Sequence, residues 1–203
     1  MTRRDISAGM RLKTLAGWNQ TEADWERFLG LSPEGSFAAE KDGQVIGTAC
    51  TFVFGAVGWI AMILVDPEHR RHRLGSALFQ SSLDYLRTKH LTAIKLDATP
   101  AGKEVYLRFG FQEEYTLERR KGISPGGEYS SIIPMSEADL AGIFKMDQKI
   151  YGADRSALLA HLFSEAKVNA FAGTFPGRTK EHPRGFAFIR PGSGSFFIGP
   201  IIA

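Results

Sequence analysis

The chain carries one cysteine, Cys50, in 203 residues. A single thiol excludes an internal disulfide framework and any multi-cysteine metal site. Long apolar runs are also lacking. The longest, residues 59–65, is far shorter than the ~20 residues that span a bilayer. The opening Met1-Thr2-Arg3-Arg4-Asp5 leads into no apolar stretch, so no signal peptide is expected. Nor is there a large excess of one charge. The 25 Lys+Arg against 22 Asp+Glu permit an anionic ligand without predicting nucleic acid. The expectation is a soluble, cytoplasmic protein with no membrane or nucleic-acid partner and no metal. What is present is enough apolar sequence, 43%, to bury a core. The length exceeds one typical domain of ~100–150 residues and falls short of two.

Periodicity divides the first part of the chain. Thr2/Asp5 and Thr21/Asp24 have capping-box spacing and head two short helices, the first ended by Gly17. Residues 36–41 and 44–54 read as strands joined at Asp42-Gly43, a dipeptide favoured in two-residue hairpin turns. Residues 59–65 read as a central strand covered on both faces. A helical period starts at Leu74. A strand follows at 93–98, a short helix at 103–109 and a strand at 111–117. This order predicts an α/β fold (α+β by some schemes), a mixed central sheet flanked by helices.

Residues 122–129 are Gly-rich with Pro125 among them and read as a linker between a unit at 1–121 and another at 130–203. The second unit echoes the first. Met135-Ser-Glu-Ala-Asp139 echoes Met1-Thr-Arg-Arg-Asp5. Ala170-Phe-Ala172 echoes Ser36-Phe-Ala38, and residues 197–203 echo 59–65. On that alignment the second unit is partial. It is expected to carry no ligand loop of its own and to leave a sheet edge that a homodimer or the first unit would cover.

The segment with chemical content is Val65-Asp-Pro-Glu-His-Arg-Arg-His-Arg-Leu-Gly-Ser-Ala-Leu78. A buried strand enters a basic loop, and the loop enters a helix. A helix N-terminus has unpaired N–H groups and partial positive charge, which suit a phosphate. Arg70, Arg71 and Arg73 add formal charge, and Gly75 allows close approach. On charge alone a solvated basic loop is the plainer reading. His69 and His72 lack companion metal ligands.

Val65-x-Pro-x-x-Arg70-Arg-x-x-Leu74-Gly75-x-Ala-Leu78 resembles the acetyl-CoA pyrophosphate loop of the GNAT superfamily of N-acetyltransferases. Arg70 and Gly75 match its outer places, and Arg73 stands where a glycine is expected. A side chain there requires negative φ or a tolerated left-handed backbone. Leu96-Asp-Ala-Thr-Pro-Ala-Gly102 followed by Tyr106-Leu-Arg-Phe-Gly110-Phe111 is similar to the family's second cleft wall. With Gly17-Trp18-Asn19-Gln20 and Trp59-Ile-Ala-Met, the chain resembles tandem acetyltransferases whose second domain is acetyltransferase-like, here partial.

The resemblance implies acetyl-CoA as co-substrate, no metal, and direct attack of a primary amine on the thioester. Ile63, Leu64 and Val65 would pair with pantetheine. Arg70, Arg71, His72, Arg73, Leu74, Gly75 and Ser76 would hold the phosphates, and a backbone N–H at Met62 or Ile63 would polarise the carbonyl. Tyr106 would protonate the leaving thiolate; on spacing alone it reads equally as a core-flanking residue. Trp18 and Asn19 would contact a small-molecule or peptide acceptor. Asp97 reads as a strand-end residue rather than a base, and Glu22, Asp24 and Glu40 are not separable as bases. The different-class alternative is a CoA-binding or sensor module with little turnover. Cys50 reads as a small buried residue.

Overall fold

The computed structural model describes residues 1–127, 131–165, 169–173 and 183–203. Both capping boxes form. Thr21 N donates to Asp24 Oδ2 at 2.8 Å, which satisfies one orphan donor of the helix start. Helices α1 (Ile6–Leu15) and α2 (Glu22–Leu31) follow them, and Gly17 stops α1 with φ +69°. Strands β1 (Ser36–Lys41) and β2 (Gln44–Phe54) pair antiparallel around Asp42 and Gly43, both at positive φ as a type I′ turn requires. β3 (Val57–Val65) pairs antiparallel with β2. α3 (Leu74–Arg87) then carries the chain to β4 (Ala93–Leu96), which lies parallel to β3. The sheet order is β1-β2-β3-β4.

Both faces of this sheet are covered, which is why β3 reads as a continuous apolar run. Leu12, Trp25, Cys50, Phe52, Met62 and Leu64 form the core under α1 and α2. Ile60, Phe79, Leu83 and Leu86 form the core under α3. Full burial of a side chain such as Trp25 or Phe79 contributes about 2–3 kcal/mol.

Two expectations are corrected. Helix α4 (Pro100–Arg108) begins earlier than residue 103. Thr99 caps it by accepting from Gly102 N at 3.2 Å, and Pro100 occupies the first turn, where it costs no hydrogen bond. Residues 111–117 form no strand. Phe111 packs on the α3 core, but the following carboxylates reach outward: Glu113 to Lys103 at 2.6 Å and Glu114 to Lys95 at 2.8 Å. Side-chain pairs replace a backbone ladder along β4, so irregular chain starts at 111 rather than at 122.

The second sheet, order β5-β6-β7-β8, is antiparallel throughout. It comprises β5 (Ile132–Pro134), β6 (Ala170–Gly173), β7 (Gly185–Arg190) and β8 (Phe197–Ile202). Helices α5 (Leu140–Tyr151) and α6 (Ser156–Glu165) pack over it around Ile143, Leu159, Phe163 and Phe188. The last two residues of the linker expected at 122–129, and residues 130, 166–168 and 174–182 of the second unit, lie outside the described residues. β5 and β8 are the two edges of this sheet among the described residues.

The sequence echo is a structural repeat. Met1 N donates to Ser36 O at 2.8 Å, and Met135 N donates to Ala170 O at 2.8 Å. The Thr2/Asp5 box recurs as Ser136/Asp139. Phe37 faces Ala49 and Ala38 faces Thr48, as Phe171 faces Ala187 and Ala172 faces Phe186. Thr51/Ile60 and Phe52/Trp59 recur as Ile189/Ile198 and Arg190/Phe197, and each ladder carries a register shift, between Thr48 and Cys50 in the first and between Ala187 and Ile189, one residue nearer the turn, in the second.

Candidate active site

The site begins where β3 and β4 part. Their last rung is Ile60 opposite Leu96, while β3 continues to Val65 with no strand on that side among the described residues. The β2–β3 register shifts between Thr48 and Cys50, and Met62 takes φ +55°. This bulge locally bends and twists the strand. Thr48, fully buried, donates its hydroxyl to the Met62 carbonyl at 2.9 Å and so pins it. Sequence reasoning missed Thr48, because a threonine in a strand looks like a simple strand former.

Beyond Val65 the chain turns through a 3-10 segment capped by Asp66, which accepts from Glu68 N at 3.1 Å. Asp66 is ion-paired to Arg11, whose guanidinium holds that carboxyl below the usual carboxylate range. This tie from α1 to the loop was also missed, as the two residues are distant in sequence. Arg70 Nε donates to the Val65 carbonyl at 3.2 Å, so that carbonyl is engaged by the loop itself. Arg71 and Arg73 take φ +67° and +59°, and Arg73 is the N-cap of α3. The glycine place is therefore occupied by an arginine in the left-handed region, at a backbone cost of about 1–2 kcal/mol. Arg70, Arg71, His72 and Arg73 are exposed. The first α3 N–H with an intrahelical carbonyl is Ala77, bonded to Arg73 O at 2.9 Å. Leu74, Gly75 and Ser76 precede it, in the turn where backbone N–H groups lack such partners.

Across the fork, Tyr106 on α4 packs its ring against Phe79 with centroids 4.8 Å apart. Burial pushes its phenol above the ordinary value, which keeps it a proton donor through neutral pH. Asp97 follows the last rung directly. Partial desolvation raises its carboxyl, with Arg119 acting in the opposite direction. Cys50 is fully buried and its thiol is pushed up to about 12, so it is a core residue rather than a thiolate.

The residues expected at the acceptor divide. Trp18 is half-buried against the core that contains Met62. The Asn19 side chain bonds to the β7–β8 turn: Nδ2 donates to Ser195 O at 2.8 Å and Oδ1 accepts from Gly194 N at 2.8 Å. Asp24 is buried and held by Arg27 and Arg190, so it is not free to act as a base. Among the described residues no group of three His, Cys, Asp or Glu side chains is placed to hold a metal. Among the described residues no helix is long and apolar enough to cross a membrane.

Comparison with known proteins agrees with this architecture. The Acetyltransferase (GNAT) family pattern matches residues 10–111, and an Acetyltransferase (GNAT) domain pattern matches residues 143–203. The chain belongs to the GNAT acetyltransferase family. It is 27% identical over 205 residues to the uncharacterized N-acetyltransferase YitH of Bacillus subtilis, covering 98% of this chain and 70% of that protein. A mycothiol acetyltransferase from Acidimicrobium ferrooxidans is 33% identical over 110 residues, covering 46% of this chain. This chain spans only 36% of that relative's length. In fold it matches a candidate acetyltransferase from Pyrococcus horikoshii at a TM-score of 0.76 and 21% identity, over 100% of this chain and 69% of the other.

Proposed function

We propose that the chain transfers an acetyl group from acetyl-CoA to a primary amine, and that the first unit, residues 1–121, carries the chemistry. The observation that supports this most is the continuity of the fork past Ile60/Leu96 with the left-handed, arginine-bearing turn that opens α3. That arrangement fits a thioester carried on a long diphosphate-bearing arm. The group would supply an activated acyl carbon when bound. Ile63, Leu64 and the N–H side of Val65 would hold the pantetheine arm. Arg70, Arg71, His72 and Arg73, with the opening N–H groups of Leu74, Gly75 and Ser76, would hold the diphosphate.

Tyr106 keeps its proton at neutral pH and serves as the acid for the leaving sulfur. Trp18 lies on the α1/α2 side, where the acceptor would approach. The relative named for mycothiol supports a small-molecule acceptor. Residues 122–129 serve as the linker to the second unit, 130–203, which bears structure rather than chemistry. The test is release of free thiol from acetyl-CoA with a panel of amines, beside calorimetric binding of CoA. Thiol release abolished by Tyr106→Phe, with CoA binding retained, is the expected result. CoA binding without release for any amine would favour a binding module instead.

A further inference from the structure

The two units meet in reciprocal fashion. The loop between α1 and α2 lies on the β7–β8 turn, where Ser193 N donates to Asn19 O at 2.9 Å. Correspondingly, the loop between α5 and α6 lies on the β2–β3 turn: a Cβ at Gly55 would sit 3.6 Å from Asp154 N, and the Phe54 and Tyr151 rings are 6.3 Å apart. Arg190 pairs with Asp24 across the junction. Phe52 and Leu158, which hold the corresponding places in the repeat, line a cavity of about 130 Å³. An interface in which each half offers the same patch to the other is isologous, and here it is built within one chain.

The reciprocity is broken at Asn19. Its side chain donates to Ser195 O at 2.8 Å and Ser195 Oγ at 3.3 Å, and accepts from Gly194 N at 2.8 Å and Ser195 N at 3.2 Å. Lys13, buried on α1, donates to Ser193 Oγ at 2.8 Å beside it. Gly192 makes room: a Cβ there would lie 2.2 Å from Asn19 Nδ2 and 2.5 Å from Ser195 O. The corresponding place in the second unit is Ala153, which has no polar side chain to make such a clamp. The residue before Asn19 is Trp18, whose ring rests on the core that includes the bulge residue Met62.

We infer that Asn19 is a positioning residue for the acceptor: it fixes the Trp18 loop to the second unit's β7–β8 turn, and the second unit thereby sets the acceptor specificity of the first. This rests on the transferase reading above. Asn19 acts through the loop and touches no reacting atom. The second unit's contribution is to hold one wall of the site still, which lowers the ordering cost of binding.

The experiment uses the full chain with Asn19→Ala, Asn19→Asp and Gly192→Ala. Hydrogen exchange of residues 16–21 is measured together with KM for the best amine, kcat, and CoA affinity by calorimetry. Loss of the clamp is expected to raise amine KM roughly tenfold, as loss of one or two hydrogen bonds allows. CoA affinity should stay within about twofold, and exchange in the loop should accelerate. Asn19→Asp keeps the acceptor for Gly194 N and Ser195 N and should fall between wild type and Asn19→Ala. Gly192→Ala attacks the clamp from the second unit, should Asn19→Ala fail to fold. Faster exchange with unchanged amine KM overturns the inference, as does unchanged exchange. An equal loss of CoA affinity also overturns it, because it marks general destabilisation. A wild type that neither binds CoA nor releases thiol defeats the transferase reading and this inference with it. Failure of the inference alone needs a working wild type.

Discussion

The ladder β2–β3 and the ladder β7–β8 are two copies of one design put to different uses. Both are antiparallel, both carry a register shift, the second one rung nearer the hairpin turn than the first, and both are entered from corresponding strands. In the first copy Met62 takes the left-handed backbone and Thr48 holds its carbonyl. In the second, Pro200 stands in Met62's place and Phe186 in Thr48's. Proline cannot adopt positive φ, so the irregularity falls on Gly199 at +154°. Phe186 has no hydroxyl and instead fills the core with Phe188. The comparison teaches that a bulge is inherited through register, while its use depends on the one or two side chains that lock it. The first copy keeps a polar lock beside a fork. The second gives its turn to the grip on Asn19.

The largest expected effect breaks the junction between the copies. Asp24→Ala leaves Arg27 and Arg190 without their buried partner and removes the α2 capping box. It should cost about 3–5 kcal/mol in urea denaturation. A loss below 1 kcal/mol would mean that the units are independent. Next, Thr48→Val makes the first ladder like the second by deleting the lock. A buried carbonyl loses its partner, so stability should fall by about 1–3 kcal/mol and CoA binding should weaken in calorimetry. Unchanged CoA binding would separate the bulge from the site.

Arg73→Gly has the opposite sign. Relief of left-handed strain should raise stability by about 1 kcal/mol, less the greater freedom of glycine in the unfolded chain. CoA binding then reports the worth of the Arg73 charge against that relaxation.

The smallest effect concerns Asp66, whose folded pKa is depressed by Arg11. Its contribution is present above the ordinary carboxylate range, near 3.9, and is lost as pH falls through the lower folded value. With Arg11 partly exposed, it is worth up to about 1 kcal/mol. Arg11→Ala should lower stability by that amount at neutral pH and leave it nearly unchanged at acid pH, which flattens the acid limb of a stability-against-pH profile.

Local signals carried much of the fold. The Thr-x-x-Asp boxes, Asp42-Gly43 and the apolar run of β3 are short-range chemistry. Each formed where its residues imposed it, because caps and turns are satisfied within a few residues. The start of α4 was legible in Thr99-Pro100 had that pair been weighed as a cap. Residues 111–117 show where local signals end. Alternating apolar residues favour a strand, but a strand exists only if a partner offers its edge, and here Lys95 and Lys103 draw the segment into side-chain pairs instead. In the site, the loop and Tyr106 were visible as residue types at a spacing. Thr48 was not, because its role depends on which carbonyl lies across the ladder.

The sequence by itself determined that there are two related units, that the basic loop sits at a strand-to-helix junction, and that a single cysteine builds no internal disulfide framework. These follow from period, echo and composition, which the chain carries along its length. Only the tertiary structure decided that β3 and β4 part after Ile60, that an arginine takes the left-handed place before α3, and that Asn19 is spent on the second unit. Those outcomes depend on distant groups meeting, such as Arg190 with Asp24 and Ser195 with Asn19. No local pattern encodes a partner more than a hundred residues away.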